Sequence, residues 1–276
     1  MEFYKMQGLG NDFVIVAADS WDAADGYQPL ARPVCDRHFG VGADGLVVAG
    51  RDTECDLFMR IFNPDGSEAE MCGNVIRCVA RLAWENKWVA SPRMSVRTPG
   101  GARYPEIIRR DDGALWVRVD MGEPVLKREL IPMRGEGGAV GVTLTTQAGE
   151  FKVTAVSMGN PHAVIFTEDM DAVRLAAWGP LLERHDVFPA KTNVEFVQVL
   201  NPGELRMRVW ERGAGITLAC GTGSCAALVA AVQNGLAERA AVVHLDGGDL
   251  FIEWSAEDGH VYMSGPAEHV FKGQLK

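Results

Sequence analysis

Apolar residues run along this chain in two rhythms, and both rhythms occur twice. Short apolar runs follow polar or glycine-bearing turns: Val14-Ile15-Val16 after Gly10-Asn11-Asp12-Phe13, and Leu46-Val47-Val48 after Asp44. In the second half, Ala163-Val164-Ile165-Phe166 follows Gly159-Asn160-Pro161-His162, and Val194-Glu195-Phe196-Val197 follows Asn193. Runs of this length bounded by turn residues predict buried strands. Segments 56–63 and 204–211 carry large residues in alternation and predict further strands. Segments 74–88 and 222–235 predict helices, and the second holds Cys225-Ala226-Ala227-Leu228-Val229-Ala230-Ala231-Val232, apolar around its whole circumference. Such a helix has to be buried on all sides. Segments 29–39 and 171–185 predict second, amphipathic helices.

The two halves keep register. An offset of 148 residues separates Met59 from Met207, Arg60 from Arg208 and Cys72 from Cys220, and 149 separates the Gly-Asn pairs and also Asp44 from Asn193. Three blocks in nearly one register point to internal duplication. The expected fold is α/β (α+β): two similar domains, each a curved, mostly antiparallel sheet around a central helix, with an active site in the cleft between them. The expected halves are 1–118 plus 265–276, carrying Cys72, and 119–264, carrying Cys220. Met121-Gly122-Glu123-Pro124 supplies the crossover, and the apolar tail His269-Val270-Phe271 is expected to return to the first half.

Composition narrows the class. At 276 residues the chain can form two cores of ordinary size. A formal net charge of −10 with no compensating basic cluster argues against a nucleic-acid partner. The opening Met-Glu-Phe-Tyr-Lys does not read as a signal peptide, and no apolar run approaches a membrane-spanning length, so a cytoplasmic protein without a membrane partner is expected. In that compartment the six cysteines are expected to be free thiols.

Cys72 and Cys220 each stand where a Gly-containing turn opens a predicted buried helix. Unpaired N–H groups and the dipole make such a helix start an anion site, and the dipole is expected to lower the neighbouring thiol's pKa. Two such ends around one substrate carboxylate would put a thiol on each face of the α-carbon. That arrangement implies a two-base racemisation or epimerisation in which one thiolate removes the α-proton and the other thiol returns a proton. His162 and Glu211 are candidates to adjust the two thiols, and no pyridoxal phosphate or other cofactor is required. Asn11, Asn63, Asn160 and Asn193, all in the repeated blocks, are candidate lining for a small, multiply charged ligand. Arg212 is a candidate clamp for a second carboxylate. A substrate with an amino-acid head at each end would use all of these groups.

Other readings have less support. Cys35, Cys55, Cys78 and Cys225 read as small core residues. Zinc is disfavoured because neither cysteine pair has the usual ligand spacing, and no metal is expected. Gly40-Val41-Gly42-Ala43-Asp44-Gly45 has the glycine pattern of a dinucleotide loop, but it follows a helix and precedes a strand, the reverse of that motif. A non-enzymatic reading, a duplicated small-molecule binding module, requires inert thiols.

The ordered set Gly10-Asn11-Asp12-Phe13, Phe62-Asn63-Pro64-Asp65-Gly66-Ser67, Met71-Cys72-Gly73-Asn74, Met158-Gly159-Asn160-Pro161-His162, Thr192-Asn193, Trp210-Glu211-Arg212-Gly213 and Ala219-Cys220-Gly221-Thr222-Gly223 resembles the diaminopimelate epimerase family over the whole chain. The resemblance implies cofactor-independent interconversion of LL- and meso-diaminopimelate for lysine and peptidoglycan precursors, and a homodimer. It implies Cys72 and Cys220 as the acid/base pair, with His162 and Glu211 adjusting their pKa values. It implies Asn11, Asn63, Gly73, Asn74, Asn160, Asn193, Glu211, Arg212, Gly221 and Thr222 as the substrate lining. Val75 departs from the small residue usual after Cys-Gly-Asn, and Phe271 stands where many members have a tyrosine near the dimer contact. Proline racemase and hydroxyproline epimerase also pair cysteines but typically have His after the first Cys-Gly, where this chain has Asn74.

Overall fold

The structure is a computed structural model that describes residues 1–275. It divides into two compact units, Met1–Asp120 with Ser264–Lys276, and Met121–Met263.

In the first unit the strand Glu2–Gly8 pairs antiparallel with Asn11–Ala17, and Asn11–Ala17 pairs parallel with Gly45–Arg51. Gly45–Arg51 then pairs antiparallel with Leu57–Phe62, which runs parallel to Val96–Thr98. The strand Glu268–Gln274 closes the other edge, antiparallel to Glu2–Gly8, so the apolar tail does return to the first half. The runs Val14–Val16 and Leu46–Ala49 are wholly excluded from solvent. They are covered on both faces, which is why they are continuously apolar rather than alternating. One face packs on a core of Val14, Val16, Leu46, Val48 and Phe58 with Ala31, Val34 and Cys35. The helix Gly73–Glu85 packs against Glu2–Gly8 and Asn11–Ala17.

The second unit repeats this order. Gly149–Ser157 pairs antiparallel with Pro161–Phe166, which runs parallel to Asn193–Asn201. Asn193–Asn201 pairs antiparallel with Glu204–Glu211, which runs parallel to Ala240–Leu245. The helix Gly221–Gln233 sits against five of these strands and Gly248–Trp254, with Gly223 to Ala231 buried in unbroken succession. The same sequence of antiparallel and parallel pairings in both units, and two helices of 13 residues each, are the structural form of the duplication.

Several elements differ from the sequence expectation. The amphipathic helix expected over 29–39 is a 3₁₀ stretch, Asp22–Leu30, followed by a five-residue helix, Ala31–Cys35. Asp36 ends it, because its Oδ1 accepts the backbone N–H groups of His38 and Phe39 and makes a turn more favourable than another helical residue. The helix expected over 171–185 is confined to Leu175–Glu183. Both central helices begin one residue earlier than expected and end two or three sooner. Val75 is fully buried inside the first of them, so its β-branched side chain is accommodated at the helix start. The Gly40–Gly45 segment is a loop in which Gly42 has φ +79°, a conformation that favours glycine.

Candidate active site

Cys72 and Cys220 occupy equivalent positions, the N-caps of the two central helices. Their backbones are extended (φ −143°, ψ 124° and φ −132°, ψ 112°), and their carbonyls accept the first helical bonds, from the N–H groups of Ile76 and Ser224 at 3.0 Å each. Helix geometry leaves the N–H groups of the first turn without carbonyl partners inside the helix.

Around Cys72 the polar side chains form a chain with a fixed direction. Arg77, fully buried, donates from Nη2 to Asn74 Oδ1 at 3.0 Å, from Nη1 to Gly73 O at 3.0 Å and from Nε to Pro266 O at 3.1 Å. Asn74 Nδ2 donates to Asn11 Oδ1 at 3.1 Å, and Asn11 Nδ2 donates to Asp44 Oδ2 at 2.7 Å. Arg77 can only donate and the Asp44 carboxylate can only accept, so neither intervening amide can flip without losing a bond. The outcome is that Asn11 presents its carbonyl oxygen toward Cys72 Sγ, 4.0 Å away, as an acceptor for the S–H. Asp44 is held in turn by Arg37 at 2.7 Å, and Arg37 also binds Asp12, which pairs with Lys5 at 2.6 Å. Burial alone would raise Asp12, but Arg37 and Lys5 outweigh it and hold its carboxyl at about 2. Asn63 opens a turn and donates from Nδ2 to Ser67 Oγ at 3.0 Å.

Cys220 has different surroundings. Its sulfur accepts from Gly223 N at 3.4 Å and lies 3.6 Å from Thr222 Oγ1. His162 is fully buried between Glu195 Oε1, 2.7 Å from Nδ1, and Asn160 Oδ1, 2.9 Å from Nε2. Asn160 Nδ2 reaches Thr222 Oγ1 at 3.4 Å. Glu211 accepts a short bond from Thr217 Oγ1 and also bonds the Cys220 thiol. The lowered thiol pKa expected from the helix start is reversed here. Burial pushes Cys220 well up, and the carboxylates of Glu211 and Glu195 add to it, against the opposing bonds from Thr222 and Gly223. Burial also raises Glu211, with the Glu195 charge adding to it. The dipole of one helix end, about half a charge, does not offset desolvation together with two nearby anions.

Asn193 is buried and ties two backbone segments, donating to Pro161 O at 3.0 Å and accepting from Arg212 N at 2.9 Å. Arg212 itself is exposed, with Nη1 bonded to Ala190 O at 3.1 Å. Its turn is fixed from below by Glu183, a buried carboxylate that accepts from Trp210 Nε1 at 2.8 Å and from Gly213 N at 3.2 Å. Gly221 lies where a Cβ would come within 2.9 Å of Met263 Sδ, so the helix start passes close beneath that side chain. Of the remaining cysteines, Cys35, Cys78 and Cys225 are buried core residues, with burial raising Cys35 to about 11 and Cys78 to about 12, while Cys55 is only half-buried. Among the described residues no three His, Cys, Asp or Glu side chains are grouped to hold a metal ion.

Sequence reasoning missed Arg77, Asp44, Glu183 and Glu195 as site residues. Each is a charge set in an otherwise apolar element or a repeated block: Glu195 interrupts Val194 and Phe196, and Arg77 interrupts Ile76 and Cys78. A buried charge in such a run signals a partner, though not which one.

Comparison with known proteins identifies the family. The family described as diaminopimelate epimerase matches residues 3–127 and 154–270. A diaminopimelate epimerase of Pelotomaculum thermopropionicum is 56% identical over 276 residues, covering 99% of this chain and 98% of that protein. One from Desulforudis audaxviator is 56% identical over 275 residues, covering 99% of each, and one from Methanococcus maripaludis is 48% identical over 276 residues, covering 100% and 99%. Among solved structures, a phenazine biosynthesis protein of the PhzF family from Bacillus anthracis has a TM-score of 0.74 at 14% identity, covering 100% of this chain and 99% of that one. A hydroxyproline epimerase from Agrobacterium vitis has a TM-score of 0.69 at 16% identity, covering 99% and 91%. At such identities the structures speak for the fold alone. The matched blocks, the two helix-capping cysteines and the near full-length identity together make this chain a member of the diaminopimelate epimerase family.

Proposed function

We propose that this protein epimerises LL-diaminopimelate to meso-diaminopimelate by a two-cysteine acid/base mechanism that needs no cofactor. The observation that carries the mechanism is the matched placement of Cys72 and Cys220 as N-caps of two duplicated helices. In the reaction, one thiolate removes the α-proton and the other thiol donates its proton to the opposite face. Both sulfurs thereby exchange protonation state once per turnover. The substrate α-carboxylate is bound by the first-turn N–H groups around Gly73, Asn74, Gly221 and Thr222, which also stabilise the charge that develops as the proton leaves. Asn11, Asn63, Asn160 and Asn193 line the site, and Arg212 with Glu211 recognises the distal amino-acid head. The surroundings of the thiols support a division of labour. Asn11 offers Cys72 a hydrogen-bond acceptor, while Gly223 N offers Cys220 a donor.

The test is α-proton exchange. Purified protein in D₂O should incorporate deuterium into diaminopimelate and not into proline. Cys72→Ala and Cys220→Ala should each abolish epimerisation; near-normal turnover by either would sink the two-base scheme. Exchange on proline instead would favour the racemase reading, against which Asn74 stands where His would be expected.

The reading extends to a cytoplasmic homodimer. Free thiols at all six cysteines suit a reducing compartment. The edge strand Glu268–Gln274 exposes half of Val270 and Phe271, an unpaired edge that a second copy can cover. Sedimentation at micromolar concentration decides it, and a monomer would overturn this part.

A further inference from the structure

The helix Gly73–Glu85 has a second end. At about 1.5 Å per residue, its 13 residues lead roughly 20 Å away from Cys72, to a cleft of about 910 Å³ within the first unit. Arg51, Asp52 and Cys55, where the Gly45–Arg51 strand ends, line one side of it. Trp84, Lys87 and Trp88, from the helix end and the turn that follows, line the other. The volume is that of a small-molecule site. None of the residues proposed for the reaction lines it.

What the cleft can hold follows from the groups that nothing else uses. Most of its polar atoms are taken. Glu85 accepts from Arg81 Nε at 2.9 Å and lies 2.5 Å from His269 Nε2. Asp56 accepts from Ser95 N at 2.7 Å and from Ser95 Oγ at 2.8 Å. The last helical carbonyls are capped, Leu82 O by Asn86 N, Ala83 O by Trp88 N and Trp84 O by Lys87 N. Three charged groups are left over. The side chains of Arg51 and Lys87 are exposed and have no hydrogen bond or ion pair among the described residues. Asp52 is only 5% exposed, and its Oδ1 lies 3.6 Å from Arg97 Nη1, too far for a hydrogen bond. Its Oδ2 has no hydrogen-bond partner among the described residues. A buried carboxylate oxygen without a donor is unfavourable.

Two unpaired cations, one buried acceptor and the faces of two half-buried tryptophans therefore share this cleft. A plain anion would meet Asp52, and a plain cation would meet Arg51 and Lys87. A zwitterion with a large apolar body suits all of them. We propose that the cleft binds a free α-amino acid with an aromatic side chain. Its carboxylate pairs with Arg51 and Lys87, its ammonium donates to Asp52, and its ring packs on Trp84 and Trp88. The site is separate from that of the proposed reaction and does not rest on it.

L-Phenylalanine is the probe, because it is silent at wavelengths that excite tryptophan alone. Added to the whole chain, it should change tryptophan emission saturably with a Kd of about 1 mM, ordinary for a ligand of its size. Two half-ligands separate the charges. Phenethylamine and hydrocinnamate should each bind about ten-fold more weakly, the loss of one charge-assisted contact. Asp52→Asn should weaken L-phenylalanine by about ten-fold and leave hydrocinnamate unchanged, whereas Arg51→Gln with Lys87→Gln should weaken both. Half-ligands need no variant, so they decide even where Asp52→Asn fails to fold. Cys55 reports the place: bound L-phenylalanine should slow its alkylation by iodoacetamide, read by peptide mass spectrometry, and leave Cys72 and Cys220 at their own rates. No saturable change, equal binding of a half-ligand, or an unaltered Cys55 rate overturns the proposal. So does displacement by diaminopimelate, which would put the amino acid in the site of the proposed reaction.

Discussion

Arg77→Met tests whether the buried chain behind Cys72 holds both the fold and the site. Arginine 77 is fully buried in the middle of the Gly73–Glu85 helix. Methionine keeps its unbranched stem and much of its volume, so the packing cost is small. The losses include the hydrogen bonds to Pro266 O, Gly73 O and Asn74 Oδ1, at 3.0–3.1 Å. A buried acceptor left without its donor costs about 1–3 kcal/mol. Gly73 O keeps its helical bond from the Arg77 backbone, so two acceptors, Pro266 O and Asn74 Oδ1, lose this donor and the expected destabilisation is about 4 kcal/mol. Urea unfolding followed through Trp84 and Trp88, on or beside this helix, reads the first unit. With a slope of about 2 kcal/mol per molar, the midpoint should fall by about 2 M. Catalysis should suffer separately, because without Arg77 the Asn74 amide can turn over and withdraw the donor it offers Asn11 Oδ1, although Asp44 still fixes the Asn11 amide. A midpoint shift under about 0.5 M would refute the claim that Pro266 O and Asn74 Oδ1 depend on the Arg77 guanidinium. A stable variant with unaltered turnover would refute the orienting role.

Asp44→Asn should cut turnover by roughly ten-fold while leaving the melting temperature nearly unchanged, since Asp44 is 40% exposed but fixes the Asn11 amide; equal turnover would show that Asn11 orients itself. Glu183→Gln should cost about 2 kcal/mol by weakening its bonds to Trp210 and Gly213, measured as the urea midpoint of the second unit, and should weaken diaminopimelate binding through the Arg212 turn. Gly179→Ala should destabilise by about 1–3 kcal/mol, because the new Cβ would lie 2.5 Å from the Trp210 ring, and this outweighs the roughly 1 kcal/mol that alanine gains in a helix. Asp12 lies near 2 in the folded protein against an ordinary 3.8, so it adds stability above about pH 4 that is lost as pH falls through 2. The stability gap between the unaltered protein and Asp12→Asn should therefore be about 2 kcal/mol at neutral pH and close in acid.

Much of this protein was determined by sequence alone, because its signals are local. Apolar runs after Asn11, Asp44, Pro161 and Asn193 became strands, since only burial on both faces of a sheet accommodates them. The segment Cys225–Val232 became a buried helix for the same reason. Cys72 and Cys220 could be paired because duplication is a property of the chain. What the tertiary structure decided are the matters that depend on charges brought together from distant positions. The helix dipole argued for an acidic Cys220 thiol, but the strands carrying Glu195 and Glu211 end beside it, and burial with two anions outweighs a helix end. The amphipathic helix expected over 29–39 gave way to a turn that Asp36 stabilises. Arg77 and Asn74 are one turn apart on the same helix, but only the fold put Pro266 O within reach of the Arg77 guanidinium. Periodicity records which face is dry; it cannot record which polar groups meet there, and beside Cys220 those meetings oppose the thiolate.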